Sequence, residues 1–89
     1  MVRLFLDDTR SQLERLHTAM SAADRRSAGH IAHHIEGAAE NLDLTDLARA
    51  ARALRISLDA PEAENPPPAD SAQRLYREFQ EVEKTLDIR

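Results

Sequence analysis

Four histidines, His17, His30, His33 and His34, carry most of the chemistry that this 89-residue chain offers near neutral pH. An ordinary imidazole is roughly three-quarters neutral at pH 7, so a ring nitrogen is available to attack an electrophile or to bind a metal. The chain has no cysteine, which removes disulfides, thiolate nucleophiles and zinc–thiolate clusters. His30, His33 and His34 have i, i+3, i+4 spacing, but on a helix His33 is turned away from the other two by roughly 60–100°. With no second helix supplying ligands, that trio reads as no metal site. No Ser/His/Asp series, glycine-rich phosphate loop or pair of buried carboxylates accompanies them. His17 reads as a surface residue of the first helix.

The two glycines of the chain, Gly29 and Gly37, stand four residues either side of His33. On a helix at about 100° per residue, the apolar stripe Ala28, Ile31, Ile35, Ala38, Ala39 and Leu42 points inward, and His33 lies roughly 160° from its centre. Gly29, Gly37, Glu40 and Arg26 fall within about 40° of His33, flanked by His30 and Glu36. A glycine inside a helix costs about 1 kcal/mol relative to alanine, and an exposed one returns nothing to the core. Clearance is the compensating gain: with no Cβ above or below, the imidazole stands free and another surface can approach it. A neutral, accessible imidazole on a rigid helix suits phosphoryl acceptance, although a lone surface histidine is ordinarily just a surface residue.

The elements that must hold this strip are helical. Apolar residues make up 42% of the chain but aromatics only 3%, so the core is built from aliphatics and alanines. Strand signals and hairpin turns are absent. A first helix over about 2–22 carries Val2, Phe5, Leu6, Leu13, Leu16 and Met20, with Thr9 and Gln12 at capping-box spacing in its middle. A second starts after the N-cap Asp24 and ends near Leu42; a third, capped by Thr45, runs over about 46–58 with Leu47, Ala51, Leu54 and Leu58 inside. Residues 60–69, with Pro61 and Pro66 to Pro68, read as an extended linker. Asp70 and Gln73 then cap a fourth helix with Leu75, Tyr76, Phe79, Val82 and Leu86 on its stripe. The fold class is therefore all-α, an antiparallel four-helix bundle forming a single domain over 1–89.

Several function classes fall away at once. So small a chain buries only about 60–65% of its unfolded surface and has no room for a deep catalytic cavity. A net charge of −4 argues against nucleic acid. No apolar run approaches the roughly 18 residues of a membrane span, and the amino terminus is too soon acidic for a signal peptide, so a cytoplasmic location is expected.

The second segment resembles the histidine-containing phosphotransfer (HPt) domain family of bacterial phosphorelays. The family pattern Ala-His-x-Leu-Lys-Gly-[Ser/Ala]-Ala, followed by an Asn-Leu-Gly-like ending, is matched by Ala32-His33-His34-Ile35-Glu36-Gly37-Ala38-Ala39 and Asn41-Leu42-Asp43. Phe5-Leu6, Leu13 to Met20, Asp24 and Leu47 to Ala51 extend the likeness without gaps over about residues 2–59. The resemblance implies that His33 is the phosphoacceptor, its Nε2 attacking an aspartyl phosphate on a response-regulator receiver domain. A second receiver would then take the phosphoryl group. The protein would need no cofactor of its own, the Mg²⁺ belonging to the receiver, and would be a phosphotransfer intermediate rather than a stand-alone enzyme. Arg26, Gly29, His30, Glu36, Gly37 and Glu40 would form the partner-binding strip. His34 stands at a variable position and is assigned no role. The missing amino-terminal helix of many relatives suggests an excised module, for example of a hybrid sensor histidine kinase, or a compact variant.

Two departures from the pattern stand out. Glu36 replaces the usual lysine, and a carboxylate there would repel phosphate. Arg25, Arg26 and His30 are the expected compensating charges. Glu36 also leaves a second reading open, an HPt-like adaptor that binds a receiver or kinase without phosphotransfer. Asp43 replaces the glycine and should alter only the turn. Arg49, Arg52 and Arg55 read as a solvated basic face that could steer an acidic receiver.

Overall fold

A computed structural model describes residues 2–59 and 68–87. It consists of α1 (Val2–Ser21), α2 (Arg25–Asn41), α3 (Thr45–Asp59) and α4 (Pro68–Asp87). Three-residue links between the first three helices make neighbours antiparallel. The start of α3 lies beside the end of α4, so the fourth helix is antiparallel too. The expected all-α bundle is what forms. Helix α2 packs most extensively on α3, then α3 on α4 and α1 on α2, while α1 and α4 meet least.

The core is aliphatic, as the composition requires. Leu16, Ile35, Leu47, Leu54 and Leu75 are fully enclosed, surrounded by Ala28, Ala32, Ala39 and Ala51 and closed by Phe79. Helix α1 is continuous, and Thr9 is a buried interior residue rather than a helix start. The expected stripe of α1 is otherwise present, with Val2's side chain outside the described residues.

Two boundaries differ from the sequence reading. Helix α4 begins at Pro68 rather than after Asp70, which lies inside its first turn. Proline suits that first position, where its fixed φ is helical and its missing N–H would be unpaired anyway. Residues 68 and 69 thus belong to the helix and not to the linker, whose remainder (60–67) lies outside the described residues. Thr45 is the first helical residue of α3 rather than its cap, because the carbonyl of Leu44 already accepts from the Ala48 N–H at 2.9 Å.

Both links are built the same way. At the end of α1, the N–H groups of Ala23 and Asp24 donate to the carbonyls of Met20 (3.1 Å) and Ala19 (2.8 Å). At the end of α2, those of Asp43 and Leu44 donate to Glu40 (3.1 Å) and Ala39 (2.9 Å). These are Schellman caps, which need a left-handed residue, and Ala23 (φ 57°) and Asp43 (φ 59°) supply it. Asp43 therefore takes the backbone position that a glycine would hold. Asp24, the expected N-cap, accepts from the Ser27 N–H at 3.2 Å. The Ser27 side chain first, then this backbone N–H and the nearby Arg26 charge, hold its carboxyl below the usual value, so the cap's stabilisation is present at neutral pH and is lost as pH falls through the lowered value.

Arg25, the first residue of α2, reaches across to the end of α3 and donates to the carbonyls of Leu58 and Ser57, both at 3.3 Å. A guanidinium there satisfies orphan carbonyls and opposes the helix dipole. The buried hydroxyls of Ser57 and Ser71, 3.4 Å apart, join α3 to α4. On the thinly covered α1–α4 side, Arg10 bridges Asp7 of its own helix and Glu83 of α4.

Ala23 tests the turn chemistry. An L-residue in the left-handed region costs about 1–2 kcal/mol, of which glycine's greater freedom when unfolded gives back about 0.5–1 kcal/mol. Ala23→Gly is therefore expected to stabilise the protein by about 0.5–1 kcal/mol, raising Tm by roughly 2–8 °C in a thermal melt. An unchanged or lower Tm would contradict this account of the α1–α2 link.

Candidate functional site

Helix α2 is covered on two sides, by α1 and α3, and its remaining face is open. Asp24 starts the helix, the Schellman cap stops it, and the enclosed Ala28, Ala32, Ile35 and Ala39 fix its rotation. His33 lies on the open face with 74% of its side chain exposed. Arg26, His30, Gly37 and Glu40 are exposed on the same face, and Gly29 is half-buried at its edge. A Cβ built on Gly29 or on Gly37 would meet nothing within 4 Å, so neither glycine is required by packing. Both leave open space one turn from the imidazole.

Glu36 is placed differently from expectation. The buried arc of α2 runs through Ala28, Ala32, Ile35, Glu36 and Ala39, while Ile31 and Ala38 are only half-buried and Leu42 is exposed. This arc is rotated by about 60° toward α3 from the one the apolar residues define. The physical cause is the more extensive packing of α3 on α2 than of α1. Glu36 is carried into the α2–α3 interface, where it is 8% exposed. It is therefore not a member of the open strip.

Its charge is met there by Arg55, whose Nε donates to Glu36 Oε1 at 2.9 Å. The same Oε1 lies 3.9 Å from Nδ1 of His33, one turn earlier on α2. The compensating cation is thus Arg55 of α3, and not Arg25, which is committed to the α3 carbonyls. Of the basic run on α3, only Arg49 and Arg52 form the exposed face expected of all three. They line a shallow groove of about 200 Å³ beside Glu36 and Glu40, between α2 and α3. The pairing of Glu36 with Arg55 was missed by sequence reasoning. Its available signal was a basic residue on α3 beside a carboxylate one turn from the stripe.

His34, on the other flank of α2, faces α1, its Nε2 donating to Asp8 Oδ2 at 3.1 Å. It is a strut between helices and does not join His33. Among the described residues, no group of three or more histidines or carboxylates could hold a metal ion. No helix of the described residues is long and apolar enough to cross a membrane.

The arrangement offers one imidazole in open solvent on a rigid helix, bordered by two glycines, a guanidinium-bound carboxylate and two exposed arginine side chains on the neighbouring helix. A family model described as Hpt domain matches residues 1–86. No curated protein and no solved structure matches the chain significantly.

Glu36 and Arg55 can be tested as a pair. Arg55→Leu strands a carboxylate that is mostly shielded from water and is expected to destabilise by about 1–3 kcal/mol in urea denaturation. Adding Glu36→Leu should recover most of that loss, because no unpaired charge then remains. Strictly additive single and double variants would show that the two side chains do not interact.

Proposed function

This chain belongs to the Hpt domain family, and we propose that His33 is its phosphoacceptor, taking a phosphoryl group from a receiver aspartate and passing it to another receiver. Hpt domains are phosphotransfer carriers in phosphorelays rather than enzymes in the ordinary sense, and they interact with response-regulator receiver domains of two-component systems. The observation that carries the residue assignment is the exposure of the His33 ring between two glycines that face open space. No other histidine on α2 matches it in both exposure and position in the family pattern, since His34 is engaged with Asp8.

In the transfer step Nε2 of His33 attacks the phosphorus of the receiver's aspartyl phosphate. The Nε2–P bond forms as the P–O bond breaks, and its electron pair returns to the receiver's carboxylate. Mg²⁺ and the acidic pocket that assist this step belong to the receiver. The strip of Arg26, Gly29, His30, Gly37 and Glu40 lies around the attacking ring, where a docked partner must sit. Arg49 and Arg52, one helix away, add positive charge suited to an acidic partner surface. On this reading the protein works in the cytoplasm, alone or as a module of a hybrid sensor kinase. The binding-only alternative drew its force from a free carboxylate at position 36, and Arg55 binds that carboxylate.

Incubation with a labelled, phosphorylated receiver checks the assignment. Wild type is expected to gain label that is acid-labile and base-stable, His33→Gln none, and His34→Gln as much as wild type. Label on His33→Gln, or wild type that binds the receiver without label, would overturn it.

Gly37 separates access from stability. Gly37→Ala is expected to stabilise the fold by about 0.5–1 kcal/mol, because the new methyl meets open space while helix propensity improves. The same change should slow transfer by crowding the docked receiver. A variant that is more stable and transfers at the wild-type rate would remove the clearance role of this glycine.

A further inference from the structure

We propose that Glu36 is a positioning residue for His33, anchored by Arg55, which keeps the ring proton on Nδ1 and so presents the lone pair of Nε2 outward. The inference rests on His33 being the phosphoacceptor. It adds what selects the reacting nitrogen.

A neutral imidazole carries its proton on one nitrogen or the other, and only the bare one is nucleophilic. In free histidine the Nε2–H form predominates, which is the wrong form for attack through Nε2. The partner of one ring nitrogen decides the matter. Here Nδ1, the nitrogen nearer the backbone, faces Glu36 Oε1 at 3.9 Å, and Nε2 is the outer atom of a ring that is mostly in solvent. A carboxylate favours an N–H pointing toward it and disfavours a lone pair there.

The carboxylate is also held. Its side chain is 10% exposed and its Oε1 accepts from Arg55 Nε at 2.9 Å, which holds it beside the ring. When Nε2 bonds to phosphorus, the ring gains positive charge while Nδ1 keeps its proton, and that charge develops beside Glu36. The phosphoryl group forms on the other nitrogen, away from the carboxylate, and Arg55 offsets the carboxylate's negative field. Glu36 thereby assists the step that an unpaired carboxylate would oppose.

The test uses the full chain labelled with ¹⁵N. Two-bond ¹H–¹⁵N correlations at about pH 8.5, where an ordinary imidazole is neutral, report which nitrogen bears the proton. Wild type is expected to show His33 mainly as Nδ1–H. Glu36→Gln, which keeps the side chain's shape, and Glu36→Ala should both shift it toward Nε2–H. Transfer from a phosphorylated receiver should fall by up to about fivefold, the factor an uncompensated unit charge at this distance carries in a water-like dielectric. A role confined to stability would leave the tautomer ratio unmoved. Wild type mainly in the Nε2–H form, or a ratio unchanged in both variants, would overturn the inference. A wild type in the Nδ1–H form that accepts nothing from the receiver would instead strike the phosphoacceptor reading, and would uphold the assignment of the proton.

Discussion

The rotation of α2 about its own axis governs the rest of the molecule, and a seam of alanines sets it. Ala28, Ala32 and Ala39 on α2 are enclosed with Ala48 and Ala51 of α3 in the same core. Small side chains let the two helices approach closely, and the pair with the most extensive contact dictates which arc of α2 is lost to solvent. Once Ala32 and Ala39 are inside, His33 and Gly37 must be outside, since adjacent residues are about 100° apart. Ile31 and Ala38, which belong to the purely apolar stripe on its α1 side, are left half-covered by that thinner packing.

That rotation has an electrostatic consequence. It places Glu36 where it loses much of its water, a cost that only a partner at hydrogen-bonding distance offsets. Arg55 is that partner, and its own side chain, 29% exposed, keeps part of its hydration. The pair therefore sits at the rim of the interface rather than in its depth. Desolvation is smaller there, and the carboxylate remains close enough to His33 to act on it. Deep burial would have separated the two, and full exposure would have screened them.

His33 and Glu36 show what was legible in the sequence and what was not. His33 lay almost opposite the expected inward direction, so an error of about 60° in that direction leaves it still beyond a right angle from the core. Glu36 lay near the boundary, where the same error moves a residue from solvent to interface. Periodicity thus fixes the poles of a helix well and its flanks poorly. The flank is decided by how strongly each neighbouring helix packs, a tertiary quantity that no single stripe contains. The same reason hid Arg55, one of three arginines on a common face until α2 is laid beside it. Arg25 was obscured similarly, because its acceptors lie more than 30 residues away. Pro68 was misread by composition: three consecutive prolines signal a linker, yet the last of them can open a helix.

The links and the open strip take opposite positions on glycine. Ala23 and Asp43 occupy left-handed turns that glycine would relieve, while both glycines stand in α2, where alanine would fit without contact. Stability alone would exchange them, moving glycine to the turns and alanine to the helix. At the turns the left-handed penalty is offset by the two Schellman hydrogen bonds each makes, so the fold tolerates it. Among the described residues, nothing packs into the space at the helical glycines to offset their cost. On the proposed phosphoacceptor reading, their counterpart is a partner surface that approaches the imidazole from outside, across the space left one turn above and one turn below the ring.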